Sequence, residues 1–176
     1  MSKAASDRES YRFHAYSGGC QCGAVRFHAT ELVDNPHLCY CRMCQKATGN
    51  LFAALVGVRH EHLTWTRGEP ARFRSSGDVD RGYCRDCGTS LFYHNVTGRH
   101  VSLSIGAFDT PHLIPVLYQM GMEGKHPSLA RLDSVEAVGT TEGSNDPAWA
   151  AAIKATNHQH PDHDTAEWVP NAEVMR

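Results

Sequence analysis

All seven cysteines of the 176-residue chain fall into three short clusters. They are Cys20-Gln21-Cys22, Cys39-Tyr40-Cys41-Arg42-Met43-Cys44 and Cys84-Arg85-Asp86-Cys87. Gaps this short let neighbouring sulfurs reach one ion, about 2.3 Å away, within a single turn. The total is informative as well. A tetrahedral structural zinc takes four thiolates, and an open zinc site keeps three protein ligands and one exchangeable position. Four and three account for every cysteine. The odd count and the clustering speak against a disulfide framework.

Composition narrows the class. Hydrophobic residues make up 41% of the chain, so bound metal is expected to supplement the core. The formal net charge is -2 and no long basic run occurs, which argues against nucleic acid or an anionic membrane as the main partner. No stretch approaches the roughly 20 apolar residues of a membrane span. Residues 1–10 are polar and lack the apolar core of a signal peptide. With reduced, clustered thiols, this predicts a cytoplasmic protein. Nothing in the pattern specifies an oligomeric state.

The chain divides into three expected parts: a flexible leader over residues 1–16, a cysteine-bearing domain over 17–138, and a linker, short helix and His/Asp-rich tail over 139–176. Within the domain, Val25 and Phe27 alternate with Arg26 and His28, and Val101, Leu103 and Ile105 alternate with Ser102 and Ser104. Phe73 lies between Arg72 and Arg74. Alternation of this kind predicts half-buried strands, and the apolar run 51–58 predicts a buried one. Frequent Gly, Asp and Pro punctuation makes the fold mainly β. In the tail, Asp146 followed by Pro147 predicts a helix start, with Trp149 and Ile153 on one face.

Spacing alone leaves the sharing of ligands open. Cys20, Cys22, Cys84 and Cys87 pair as two knuckles, leaving Cys39, Cys41 and Cys44 as a group of three. Alternatively, the first two clusters join and the last pair goes elsewhere. The middle run matches no ferredoxin pattern, so zinc is favoured over an iron–sulfur cluster. Zinc held by three thiolates is a net anion. It activates water less strongly than zinc on three neutral histidines, and it suits reversible adduct chemistry better than hydrolysis.

Three stretches together resemble the glutathione-dependent formaldehyde-activating enzyme family, which also includes centromere protein V. They are Gly18-Gly19-Cys20-Gln21-Cys22-Gly23-Ala24-Val25-Arg26-Phe27, then Cys39-Tyr40-Cys41-Arg42-Met43-Cys44-Gln45-Lys46-Ala47-Thr48-Gly49, then Tyr83-Cys84-Arg85-Asp86-Cys87-Gly88-Thr89-Ser90-Leu91-Phe92. The resemblance spans residues 17–138. It implies zinc-stabilised β-sheets of the β-tent type and two zinc ions. It implies a structural site of Cys20, Cys22, Cys84 and Cys87, and an open, catalytic-type site of Cys39, Cys41 and Cys44. The implied activity is that of a carbon–sulfur lyase on an aldehyde–thiol adduct, the namesake reaction joining formaldehyde and glutathione in S-hydroxymethylglutathione. The expected partners are therefore a small thiol and a small aldehyde. The chain departs from the family pattern at Ser128, where an aromatic residue often follows a proline such as Pro127.

Other residues carry two readings each. Arg42 and Lys46 either contact a substrate carboxylate or form a solvated basic face beside an anionic metal site. Tyr40 either orients a substrate hydroxyl or packs against the knuckle. Arg81 and Arg85, near the third cluster, are equally ambiguous. Residues 157–164 are rich in His and Asp, a metal-binding composition that is also common in exposed turns. Trp149 and Trp168 anchor the tail either to the domain or to a second subunit. Gly23, Gly49 and Gly88 are expected to take positive φ where the metal motifs turn. The rival to an enzyme is a non-catalytic zinc module for protein interaction, its middle site closed by a histidine such as His37 or His94.

Overall fold

The structure, a computed structural model, describes residues 10–139 and 146–169. It is mainly β, with two sheets and few helices. Strands β1 (Tyr16–Gly19), β2 (Arg26–Ala29) and β5 (Leu63–Arg67) form a three-stranded antiparallel sheet in the order β1-β2-β5. The larger sheet contains β3 (His37–Cys39), β4 (Ala53–Arg59), β6 (Ala71–Ser76), β7 (Val79–Tyr83), β8 (Ser90–Asn95), β9 (His100–Ser104) and β10 (Tyr118–Met120). Its order is β10-β3-β4-β9-β8-β7-β6. All its pairings are antiparallel except β10 beside β3, which is parallel.

The predicted alternation accounts for most of this. Phe27, Val56, Val58, Leu91 and Leu103 are fully buried between the sheets. Phe27 meets Phe108 and Trp65 edge to face at 5.0 and 5.9 Å, and Tyr16 meets Phe108 at 5.6 Å. Such T-shaped contacts suit the ring quadrupole and add to the area these rings bury. The run 51–58 does supply most of β4, an interior strand of the larger sheet with Val56 and Val58 fully buried. Phe73 sits in a strand as predicted but stands out from it, 61% exposed.

Two α-helices interrupt the β structure among the described residues. Helix α1 (Arg42–Thr48) begins inside the middle cysteine cluster, which carries no periodic apolar signal, and ends on Gly49 in the left-handed region. Helix α2 (Pro147–Thr156) starts as predicted: Pro147 is in the first turn and the Asp146 carboxylate accepts from Trp149 N–H at 3.0 Å. Its apolar face is not buried, with Trp149 60% exposed. The expected linker residues 140–145 and leader residues 1–9 lie outside the described residues. Within the expected leader, Tyr11 and Tyr16 are built into the core, and the Tyr16 hydroxyl donates to Tyr11 O at 2.8 Å.

Beyond α2 the tail folds back over β2. Alternation places Arg26 on the solvent face, yet only 2% of it is exposed. Its guanidinium donates to both Asp109 oxygens, at 2.8 and 2.6 Å, and to Asp164 of the tail, at 2.8 and 3.0 Å. A buried guanidinium needs such partners, because leaving the charge unpaired in a low-dielectric setting is costly. The tail has further holds besides these. His160 N–H donates to Gln21 O at 2.6 Å, Arg67 donates to Thr165 O, and Trp168 Nε1 donates to Cys22 O at 2.8 Å. Trp168 thus anchors the tail to the domain, whereas Trp149 stands exposed. Gly23 (φ 79) lies against the His160 ring, where any Cβ would collide.

Because Asp109 is nearly buried and Asp164 is 53% exposed at the side chain, the two carboxylates are expected to differ in weight. Asp109→Ala should cost about 3–5 kcal/mol by leaving Arg26 half-paired, and Asp164→Ala about 1 kcal/mol, in urea unfolding of metal-loaded protein. Burial raises the Asp164 pKa, but the hydrogen bonds from Arg26 and Ser17 outweigh this and hold it below its ordinary 3.8. The folded-state pKa is depressed, so this stabilisation is complete above the ordinary value and is lost as pH falls through the folded one. The gap between wild type and Asp164→Ala should therefore stay constant from neutral pH to about 5 and close only in stronger acid.

Candidate metal centres

The first and third cysteine clusters occupy turns of similar build on the two sheets. Cys20 and Cys22 follow β1, where Gly23 N–H donates to Cys20 O and Val25 N–H donates to Cys20 Sγ at 3.2 Å. Cys84 and Cys87 follow β7, where Gly88 N–H donates to Cys84 O. Gly23, Gly49 and Gly88 all have positive φ, as expected. Thr89 joins the two turns: its hydroxyl accepts from Gln21 N–H at 3.0 Å and lies 3.1 Å from Cys87 Sγ.

The sulfurs of Cys20, Cys22, Cys84 and Cys87 all lie within 4.8 Å of one another. Cys20 and Cys22 are 3.6 Å apart, and Cys22 and Cys84 3.8 Å. A tetrahedral zinc with bonds of about 2.3 Å needs sulfurs about 3.8 Å apart, so this donor set fits such an ion. The metal-free thiols share charge unevenly. Burial pushes the Cys20 thiol up strongly and Cys22 up to about 11. Burial also opposes the Cys87 thiolate, but hydrogen bonds from Thr89 and Cys22 outweigh it and bring Cys87 down to about 7. A bound dication is what would let all four ionise together.

The middle cluster bridges a strand end and a helix start. Cys39 ends β3, Cys41 caps α1, and Cys44 lies in its first turn. The three sulfurs lie within 4.8 Å of one another, with Cys39 and Cys41 3.5 Å apart. This spacing also fits a tetrahedral ion, on three of its corners. Burial opposes the Cys41 thiolate, but hydrogen bonds from the Cys44 backbone and from Cys39 and Cys44, with the charge of Arg81, lower its pKa overall. Arg81 donates to Cys44 Sγ at 3.6 Å and stacks on Tyr93, 5.2 Å from the ring centroid.

All three cysteines line a cavity of about 580 Å³, together with Asn35, His37, Tyr93, His100 and residues of β10. Strand β10 closes one side. Tyr40 N–H donates to Met120 O at 2.9 Å, and Gln45 Nε2 donates to Gly124 O at 2.8 Å. Gly121 (φ 65) presses on the motif so closely that a Cβ would lie 2.6 Å from Cys41 N.

The histidines named as closing ligands stay outside the three-sulfur group among the described residues. His37 lines the cavity, but its Nδ1 lies 2.7 Å from Asn35 O. His94, one residue from Tyr93 in β8, packs edge to face on His60 at 5.2 Å. The other expected residues separate. Alternation in Cys39-Tyr40-Cys41 turns Tyr40 away from the cavity. It is buried, and its hydroxyl donates to Gln119 Oε1 at 3.0 Å. Arg42 is exposed and donates to Gln45. Lys46 is exposed on α1 and borders a second cavity beside Arg81. Arg85 is exposed. No tail histidine joins a metal-binding group among the described residues. Reasoning from sequence does not reach Asn35, Tyr93, His100 or β10, which come from separate segments and carry no shared motif.

The two groups are seated differently. Cys20 and Cys84 belong to the main core, while Cys44 belongs to a small separate cluster with Ala53 and Leu55. Cys84→Ser should therefore remove one metal per chain and lower the melting temperature by about 10 °C or more, on the order of the several kcal/mol that a structural metal supplies. Cys41→Ser should remove one metal and leave the melting temperature within a few degrees. Elemental analysis alongside thermal unfolding checks both.

Comparisons with known proteins place these motifs. The glutathione-dependent formaldehyde-activating enzyme family matches residues 15–120, which include every cysteine. A Schizosaccharomyces pombe protein named an uncharacterised lyase is 25% identical over 87 residues, 48% of this chain and 61% of that protein. The chain thus aligns with less than two thirds of that relative. A crystal structure of a Rhodobacter sphaeroides protein is 20% identical with a TM-score of 0.48, covering 58% of this chain and 98% of that one. With more than half its length matched by the family, all seven cysteines among them, the chain belongs to the glutathione-dependent formaldehyde-activating enzyme family.

Proposed function

We propose that the protein is a zinc-dependent carbon–sulfur lyase acting on an aldehyde–thiol adduct, with S-hydroxymethylglutathione as the leading candidate. The observation that carries this reading is the three-sulfur group opening onto a cavity of about 580 Å³, with no fourth protein ligand in the group among the described residues. A structural site would have no use for that open side. We assign Cys20, Cys22, Cys84 and Cys87 to a structural zinc, and Cys39, Cys41 and Cys44 to the open one.

In the forming direction, the thiol sulfur bonds to the aldehyde carbon, the carbonyl π pair moves to oxygen, and the thiol proton ends on that oxygen. Zinc at the three cysteines would supply charge stabilisation to the developing oxyanion. The protein's own groups do the rest. Arg81 donates to Cys44 Sγ, which draws electron density from that thiolate and fixes its orientation. Tyr93 and Met120 supply apolar walls that limit water. His100 lines the same cavity, and burial, with the charges of His60, Arg59 and His37, holds its pKa below the ordinary 6.5. Its ring packs beside Gly57, four residues along β4 from the Ala53 that pairs with Cys39, so it borders the end of the cavity away from the sulfurs. Holding both reactants in one cavity contributes the entropic part of the rate.

The reading is tested by formaldehyde–glutathione exchange, followed by NMR exchange spectroscopy. Zinc-loaded protein should accelerate exchange over metal-free protein, and Cys41→Ser should abolish the acceleration. Full activity in Cys41→Ser with the middle site empty would sink the mechanism.

A further inference from the structure

The turn that carries Cys20 and Cys22 has a cover supplied from the far end of the chain. After Thr156 the described residues form no further helix or strand, yet they run back across this turn. Residues 157–169 are exposed except at His160, Thr165 and Trp168, three of the residues that hold the segment down. His160 N–H donates to Gln21 O and Trp168 Nε1 donates to Cys22 O, so the tail caps two consecutive carbonyls at one cysteine. The next carbonyl, Gly23 O, accepts from Arg67 at 3.2 Å, and the same guanidinium donates to Thr165 O. Gln159, His160 and Asp162 also wall a small cavity of about 150 Å³ together with Cys20, Gln21 and Thr89. All of this lies beyond residues 15–120, the span that the family matches.

Resting on the assignment of a structural zinc to Cys20, Cys22, Cys84 and Cys87, we propose that residues 157–169 are a strap that sets how fast this group gives up its metal. A chelator has to reach a sulfur, and the turn has to open, before the ion can leave. Cys20 and Cys84 are buried, so the partly exposed Cys22 and Cys87 are where such an attack begins. The Trp168 ring packs on the main core while its N–H holds the Cys22 carbonyl, and Cys22 cannot swing out until that bond breaks. His160 serves as a backbone donor and as a surface against Gly23, not as a ligand. Its ring nitrogens lie 2.7 Å from Pro161 O, 3.1 Å from Thr165 Oγ1 and 3.3 Å from the Arg67 guanidinium. The strap itself is lightly held, by a few hydrogen bonds and one packed ring, with most of its side chains in water. Such segments open locally at a free energy well below that of global unfolding. Metal release therefore follows the opening of the strap and not the unfolding of the sheets.

The test is zinc transfer from full-length, zinc-loaded protein to excess pyridylazoresorcinol, followed by the colour of the chelate. A Cys41→Ser background leaves one zinc per chain to be read, and elemental analysis gives the count before the chelator is added. Trp168→Ala combined with Asp164→Ala should speed transfer about tenfold or more, as expected for losing two or more of the hydrogen bonds that close the strap. Trp168→Phe keeps a packed ring and loses only the Nε1 donor, and it should give a smaller acceleration of about threefold to tenfold. Trp149→Ala, at the exposed tryptophan of α2, should leave the rate unchanged. Val58→Ala, in the core on β4, should lower the melting temperature yet keep the rate within about twofold of the background. An unchanged rate in the double variant would overturn the proposal, and so would an acceleration by Val58→Ala as large as that of the tail variants. A background protein that holds no zinc would overturn the structural-zinc assignment and the strap with it; the count reads the assignment and the rate reads the strap.

Discussion

Four sulfur atoms within 4.8 Å of one another tie the β1–β2 turn of the small sheet to the β7–β8 turn of the large one. Around that point lie the buried Cys20 and Cys84, the Thr89 bridge and the Trp168 anchor. The two sheets share one core, and a metal held at its edge would add several kcal/mol to a total stability of about 5–15 kcal/mol. The tail adds its own clasp at Arg26, 2% exposed and held by carboxylates from two distant segments. Strand β7 leads into the β7–β8 turn, and it also carries Arg81 to the three-cysteine group.

The second centre depends on that placement while staying separate from it. Cys39 and Cys41 belong to a strand end and a helix cap, and Cys44 to the helix, so the three sulfurs converge through local geometry. What surrounds them is not local. Arg81 and Tyr93 arrive from the far strands, and β10 returns in parallel beside β3 to close the motif at Gly121. The fold thus sets two cysteine groups apart: one joins turns of the two sheets, and the other faces a cavity of about 580 Å³.

Much of this organisation is legible in the order of the residues. The cysteine clusters declare themselves because ligands on one turn must be close in sequence, and alternation marks the strands β2 and β9, although their polar positions Arg26 and Ser102 are buried as well. Asp146 with Pro147 marks the start of α2. The sharing of ligands is not legible from spacing, because Cys22 and Cys84 belong to turns on different sheets and only the fold brings them to 3.8 Å. Helix α1 is equally hidden, since seven residues containing a metal ligand have too few apolar positions to show a period. Arg26 reads as solvent-facing because its partners, Asp109 and Asp164, are 83 and 138 residues away. Tyr40 lies between two ligands in sequence but on the opposite face in space, as the alternation of an extended backbone requires.

The central claim is that one cysteine group is closed and the other open. Replacing both metals with cobalt(II) and titrating a thiol while recording the ligand-field spectrum tests it most directly, since cobalt reports its coordination sphere. The account predicts that the absorption changes for one cobalt per chain, and that this change disappears in Cys41→Ser while the other cobalt keeps its four-sulfur spectrum. A spectrum that does not respond to thiol, or one in which both cobalts respond alike, would contradict it.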